Sequence, residues 1–373
     1  MQLHEATKNK LSQCDRIVYL HVDHFEPSST SNFEKVDLIL KRMISDIKMG
    51  FFRPSLFFKI TAGMKWKDNA PLFSPTSQHN MVMSHVKTLA HLGYDIHLHI
   101  HHERWTRSEL TNHDWKETFK KESITDSELF ELFVKGSMEE FRKYGLPIRD
   151  WGFVHGRWAL NASDPLSCNI TDEIEILRRN GCVADFTMPA GRSQCTPSMK
   201  GIFVIKPQDK PKCYNTGGMI DRGTHLLDDP NAFIICYPSS NYMYVSLDNL
   251  ILRVGTRSDT LFRSLIAKDN SWAPEDPKVI IQEWILCSHI LDRTLVIKTH
   301  SHNMRLSFWD DKTTGSLINN SPIFSSRQKE RMYLLQEICK DNNLEDLKQV
   351  TARELIKFVR WVDGGKESRN YAW

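Results

Sequence analysis

The sequence lacks three features that would narrow its function at once: a long apolar run, an excess of charge of one sign, and closely spaced cysteine pairs. No window reaches the roughly 18 uninterrupted apolar residues of a membrane-spanning helix. Lys plus Arg (49) and Asp plus Glu (46) leave a formal net charge of +3, which provides no electrostatic footprint for nucleic acid. The eight cysteines form no C-x-x-C pair, which argues against a zinc knuckle. We therefore expect no membrane span and no nucleic-acid partner.

The first residues also lack the charged-then-apolar pattern of a secretory signal, so we expect a cytoplasmic protein with reduced cysteines. The 373 residues are 40% hydrophobic, which is enough for a large core. Sixteen histidines and ten tryptophans are the unusual part of the composition. Both residue types suit a protein that handles sugars around a metal ion.

Short apolar runs alternate with amphipathic stretches along most of the chain. Strands are predicted at 17–22, 56–61, 97–101, 151–155, 183–187, 233–237, 242–247 and 295–299, and helices at 33–48, 78–92, 126–144, 171–180, 277–291, 325–339 and 351–362. This order predicts parallel strands beneath crossover helices. Residues 189–229 show no clear periodicity and are interpreted as a long excursion at the rim.

The stretch from Gly93 to Glu103 carries three histidines at alternate positions. His97, His99 and His101 are separated by Leu98 and Ile100, so an extended backbone places all three imidazoles on one face. Histidines at i and i+2 of a strand can bind one metal ion, and Glu103 follows closely enough to add an oxygen ligand. The alternative is a solvent-facing, histidine-rich edge strand.

Three other predicted strands also end in potential ligands or acid–base groups. They are the strands followed or ended by His21, Asp23 and His24, by His155 and Arg157, and by His300 and His302. Because the carboxyl ends of parallel strands meet at one mouth, we expect these groups to converge there.

Four motifs in this order resemble those of the polysaccharide deacetylase (NodB-homology, carbohydrate esterase family four) superfamily over about residues 15 to 305. The motifs are His21-Val22-Asp23-His24, Gly93-Tyr94-Asp95-Ile96-His97-Leu98-His99, Phe153-Val154-His155-Gly156-Arg157-Trp158 and Leu295-Val296-Ile297-Lys298-Thr299-His300. The first motif has one acidic residue where the family has two, and the third replaces the usual Arg-Pro-Pro. The resemblance therefore indicates a divergent member.

The resemblance implies an α/β fold, a distorted parallel (β/α)7-type barrel with a C-terminal helical extension. The barrel would span residues 1–310, with the rim excursion near 189–229, and the extension would pack on it as residues 311–373. The implied activity is metal-dependent removal of an N-acetyl or similar acyl group from a saccharide or glycoconjugate. The implied cofactor is one divalent ion, with zinc as the first choice. The alternatives are hydrolysis of another C–N or glycosidic bond on the same barrel, or an inactive saccharide-binding protein.

The candidate site residues fall into three roles. The metal candidates are Asp23, His24, His99, His101 and Glu103, with the third ligand open between His101 and Glu103. The catalytic candidates are Asp23 as base or ligand, Arg157 to orient it, and His300 or His302 as the acid, with a preference for His300. The substrate-binding candidates are His21, Trp105, His155 and Trp158.

Overall fold

The computed structural model describes residues 3–25, 33–48, 55–58, 76–100, 125–155, 160–162, 170–186, 201–206, 218–236, 243–247, 250–254, 281–282, 284–286, 288–301 and 323–373. Every structural statement below concerns these residues.

Eleven of the described strands form one mixed sheet. The thirteen described strands are β1 (Arg16–Phe25), β2 (Ser55–Phe58), β3 (Asp95–Ile100), β4 (Trp151–His155), β5 (Cys182–Asp185), β6 (Ile202–Ile205), β7 (Gly218–Met219), β8 (Phe233–Cys236), β9 (Met243–Leu247), β10 (Leu250–Val254), β11 (His289–Leu291), β12 (Thr294–Ser301) and β13 (Lys348–Val350). Their order in the sheet is β11-β12-β1-β2-β3-β4-β5-β8-β6-β7, with β13 paired to β1, while β9 and β10 form a separate hairpin. The strands from β12 to β8 run parallel; β11, β6 and β7 pair antiparallel to their neighbours.

The predicted (β/α)7-type barrel is therefore wrong. The sheet curls into a half-barrel of mixed strands, and the described helices are too few for one helix per strand. The antiparallel strands β6 and β7 lie inside the stretch 189–229, which sequence analysis interpreted as a rim excursion. The helix predicted at 277–291 also ends too late, because residues 289–291 are β11.

Seven α-helices lie within the described residues and accompany the sheet. They are α1 (Glu5–Leu11), α2 (Phe33–Lys48), α3 (Thr76–His91), α4 (Asp126–Lys143), α5 (Glu173–Arg179), α6 (Ile323–Asp341) and α7 (Ala352–Asp363). Helices α2 to α5 bury apolar side chains against one face of the sheet, which we call the helix-facing side. Helices α1 and α6 pack on the outer side of β1 and β12. None of the described helices combines the length and apolar character needed to cross a lipid bilayer.

Helix α7 fills the concave side of the curled sheet. Its residues Leu355, Phe358 and Val362 share one buried cluster with side chains from β1, β2, β4, β5, β6, β8 and β12. A single helix can touch so many strands only from inside the curve, so we call this the inner face. The C-terminal segment predicted as an extension packed on the barrel thus supplies part of the core.

The start of α7 lies at the amino ends of the parallel strands. The Thr351 side chain and Glu354 form a capping box that begins the helix. The amide of Ala352 donates to Ser55 Oγ at 2.7 Å, and the amide of Arg353 donates to Asp95 Oδ2 at 2.8 Å. Since Ser55 and Asp95 are the first residues of β2 and β3, α7 closes this end and leaves the carboxyl ends as the mouth.

Candidate functional site

His24 and His99 lie side by side on the inner face near the mouth. Side chains alternate along β1, and Val18, Leu20 and Val22 belong to the inner cluster, so His24 has the same direction. Ile96, Leu98 and Ile100 face the helices, which turns His99 inward. The two imidazole ring centres are 5.4 Å apart and both residues are buried. Two residues that are 75 positions apart in sequence thus lie beside each other.

A hydrogen bond to the backbone fixes the orientation of His99. Its Nδ1 lies 2.6 Å from the carbonyl oxygen of Val154 in the neighbouring strand β4. A carbonyl oxygen only accepts, so Nδ1 carries the proton and Nε2 keeps its lone pair in the neutral ring. Metal-binding histidines are commonly held in this way, because the bond selects the tautomer and orients the ring.

The spacing of the two rings suits a shared metal ion. Two imidazoles bound to one tetrahedral zinc through nitrogens at about 2.1 Å have ring centres about 5 Å apart. The donor set of His24 and His99 therefore fits the divalent ion that sequence analysis predicts. Within the described residues, no group of three or more His, Cys, Asp or Glu side chains could hold a metal. The two residues predicted as alternatives for the third ligand, His101 and Glu103, lie outside the described residues.

His97 faces inward like His99, but its imidazole ring contacts other groups of the protein. Its Nδ1 accepts a hydrogen bond from the amide of Gly152 at 2.9 Å, and its Nε2 lies 2.7 Å from Asp95 Oδ2. Burial lowers the pKa of His97, and the nearby Arg353 lowers it further against the opposing effect of Asp95. The ring also stacks on Phe57 with centres 4.7 Å apart. With its Nδ1 bonded to the Gly152 amide and its Nε2 against the Asp95 carboxylate, His97 is a structural member of the histidine series.

The structure separates Asp23 and His21 from the histidine pair. Asp23 pairs with Leu56 in the register of β1 and β2, and Leu56 belongs to the helix-facing cluster. Strand alternation gives His21 and Asp23 this same direction, opposite to that of His24. The Nδ1 of His21 lies 2.8 Å from Thr299 Oγ1. The predicted group of His21, Asp23 and His24 is thus divided between two faces of β1.

His155 also faces the helices and not the mouth. Its Nε2 lies 3.1 Å from Glu173 Oε1 of α5, and both side chains are fully buried. Glu173 in turn accepts a hydrogen bond from the amide of Asn161, which has a left-handed backbone conformation (φ 54°). The residue predicted to bind substrate is thus part of a buried polar contact between β4 and α5. Nothing in the sequence marked its partner Glu173, apart from its place in the first turn of the helix predicted at 171–180.

The remaining predicted residues cannot be placed beside the pair. His300 belongs to β12, where its backbone pairs with Val22, but its side chain is outside the described part of the chain. The other residues outside the described ranges are His101, Glu103, Trp105, Arg157, Trp158 and His302.

Lys298 is an inner-face residue that sequence analysis did not assign to the site. Its Nζ donates to the carbonyl oxygens of Phe186 and Cys236, the latter at 3.2 Å, and its side chain is fully buried. These carbonyls lie at the carboxyl ends of β5 and β8, so the side chain reaches from β12 to that end of the two strands. Burial lowers the pKa of Lys298 to about 8. The sequence feature that could have pointed to Lys298 was its single charge within the apolar run 295–299.

Comparison of the chain with protein-family models, with curated protein sequences and with solved structures finds no match.

Proposed function

We propose that this protein is a metal-dependent hydrolase that removes an acyl group from an amide nitrogen, with an N-acylated saccharide or glycoconjugate as substrate. One observation carries the proposal. The imidazole ring centres of His24 and His99 are 5.4 Å apart at the carboxyl ends of parallel strands, and a backbone carbonyl fixes the tautomer of His99. The four motifs that resemble polysaccharide deacetylases support the choice of reaction and of saccharide.

The directions in which the side chains point are the basis for the proposed roles of the residues. His24 and His99 would hold the metal ion, and a third ligand would come from His101 or Glu103, which directly follow β3 in sequence. A bound divalent ion lowers the pKa of a water molecule toward 7, which provides a nucleophile at neutral pH.

Such a reaction also needs a general base and a proton donor for the departing amine. The strand direction of Asp23 turns its carboxylate away from His24, so Glu103 becomes the carboxylate to test first as the base. His300 and His302 stay the candidates for the acid, because a histidine titrates near neutral pH.

The first test is the metal content of purified protein, measured by elemental analysis after removal of loosely bound ions. We expect about one equivalent of a divalent ion in the unchanged chain, and its loss in His24→Ala and in His99→Ala. His91→Ala removes an exposed histidine from the end of α3 and is the matched control. His155→Ala, on the helix-facing side, should also keep the metal. Full metal content in both His24→Ala and His99→Ala would exclude this pair as ligands.

The second test is catalysis. The metal-loaded protein is incubated with an N-acetylated glucosamine oligosaccharide and the released acetate is quantified. We expect activity that falls by about 100-fold or more in Glu103→Gln without loss of metal if Glu103 is the base. The same loss in Asp23→Asn, with Glu103→Gln active, would return the base to Asp23. Metal binding without release of acetate from any N-acylated saccharide would leave a metal-binding protein and contradict the hydrolase.

A further inference from the structure

A groove with a volume of about 480 Å³ lies at the end of the sheet opposite the histidine pair. Its walls come from residues just before β4, from the start of β5 and from the start of β8, which are the amino ends of parallel strands. The volume falls within the range of about 300–1,000 Å³ that is typical of sites for small molecules.

Three arginines from three different parts of the chain surround this groove. Arg149 precedes β4, Arg178 is on α5 and Arg360 is on α7. Their positive charges are mostly not neutralised. Arg178 donates to the neutral acceptors Asn231 Oδ1 and Pro230 O, and Arg149 makes no ion pair or side-chain hydrogen bond with another described residue.

The two acidic residues of the groove reduce this charge only in part. Arg360 is 3.3 Å from Asp150, and both side chains are about half exposed (45% and 58%), so this pair contributes little. Asp229 is paired with Lys206 at 2.7 Å, and this hydrogen bond holds the pKa of Asp229 below its usual value. The three arginines and two aspartates of the lining therefore leave a formal net charge of +1, and Lys206 beside Asp229 adds one more positive charge.

We call the apolar side chains that line the groove its floor. It consists of side chains from the segment before β4, from β5, from the 3₁₀ turn 226–228 and from β8, namely Ile148, Cys182, Val183, Leu227, Ala232 and Ile234. A bare inorganic ion would leave this floor in contact with water, whereas a ligand with an apolar part would cover it. The apolar floor and the three arginines together favour a ligand that has an apolar body and an anionic group.

We propose that this groove binds a small organic anion, in which a phosphate or carboxylate is attached to an apolar body. The guanidinium groups of Arg149, Arg178 and Arg360 would contact the anionic group, because their planar donors match both phosphate and carboxylate geometry. The apolar body would lie on Val183, Leu227 and Ile234. The site is separate from the histidine pair and does not depend on the proposed hydrolase activity.

The test is calorimetric titration of the full chain with four probes. Phenyl phosphate and benzoate combine an aromatic body with an anion, inorganic phosphate supplies the anion alone, and benzyl alcohol supplies the body alone. We expect saturable binding of at least one of the two combined probes, about tenfold or more tighter than inorganic phosphate or benzyl alcohol. Comparison of phenyl phosphate with benzoate then distinguishes a phosphate ligand from a carboxylate ligand.

The variants locate the binding. Arg149→Gln and Arg360→Gln should each weaken the preferred probe by about tenfold, because each removes charged hydrogen-bond donors. Lys87→Gln removes one positive charge from an exposed position on α3, which lines no part of the groove, and should leave the affinity unchanged. Thermal melting of each variant checks that it is folded. Equal weakening in Lys87→Gln, equal affinity for inorganic phosphate, or no saturable binding of either combined probe would overturn the proposal.

Discussion

His97 and His99 stand two residues apart on the inner face of β3 and have different roles. The imidazole of His97 accepts from the Gly152 amide and contacts Asp95, so it joins strands at the closed end. His99 donates from Nδ1 to the Val154 carbonyl, and its ring lies beside that of His24. At the scale of single residues, the hydrogen bond made by one ring nitrogen decides what the other can do.

Lys298 gives a pH dependence of stability that can be measured. Burial lowers its pKa in the folded chain to about 8 from 10.5, so between these values the unfolded chain binds more protons than the folded chain. The free energy of unfolding should therefore rise with pH across this window, by at most about 3 kcal/mol. Urea denaturation from pH 7.5 to 10.5 is compared with that of Lys298→Met, where this rise should be absent. Parallel pH profiles for the two proteins would refute the burial of a charged Lys298.

At the scale of elements, one buried charged contact joins α7 to the sheet. The guanidinium of Arg353 pairs with Asp95, whose carboxylate also contacts His97. Burial alone would raise the pKa of Asp95, but His97 and Arg353 outweigh burial and hold it at about 2. The contact thus connects the first turn of α7 to the first residue of β3.

Removal of the Asp95 charge should loosen this connection. Asp95→Asn is expected to lower the free energy of unfolding at pH 7 by about 3 kcal/mol, because it leaves Arg353 without its carboxylate partner. Asp150→Asn, at an exposed aspartate, is the control and should change stability by less than about 1 kcal/mol. Urea denaturation measures both. Equal effects of the two variants would contradict a connecting role for Asp95.

The same contact predicts the direction of acid destabilisation. A folded pKa of about 2 for Asp95, below the ordinary 3.8, contributes stability above pH 3.8 that is lost as the pH falls toward 2. His97 acts in the same direction from a higher starting point, because its folded pKa lies below the ordinary 6.5. In Asp95→Asn, the loss of stability between pH 3.8 and pH 2 should therefore disappear, whereas the loss below pH 6.5 from His97 should persist and grow, because the carboxylate that raises the pKa of His97 is gone.

At the scale of the whole molecule, residues on both sides of position 310 share one buried cluster. The side chains Leu355, Ile356, Phe358, Val359 and Val362 of α7 are buried in the inner cluster. At about 2 kcal/mol for each buried apolar side chain, they contribute about 10 kcal/mol, which is comparable to the total stability of a domain.

A chain that ends at residue 310 should therefore not form the native structure. We expect it to lose the cooperative thermal transition and to bind a hydrophobic dye, because the inner face of the sheet becomes exposed. Circular dichroism and dye fluorescence measure the two effects. A cooperatively folded fragment 1–310 would instead support a barrel with an independent C-terminal extension.

Local patterns in the sequence were sufficient for most helices and strands. The helix period predicted α2 at 33–48, where the structure has it, and the apolar run Trp151–His155 predicted β4 with the same bounds. The placement of His24 and His99 at the carboxyl ends of strands could also be predicted from sequence, whereas their role as metal ligands stays a prediction. The hydrophobic period of a helix and the end of a strand are both visible within a short stretch of sequence, so sequence alone can predict them.

Tertiary structure alone decided which faces and edges these elements use. Asp23 and His24 are adjacent in one strand and so point to opposite sides, but only the register of β1 with β2 shows which side each of them faces. The insertion of β13 beside β1, the antiparallel strands at the edges and the position of α7 inside the curve depend on pairings between residues far apart in the chain. No local period reports such pairings, because their free energy arises only when distant segments bury the same surface.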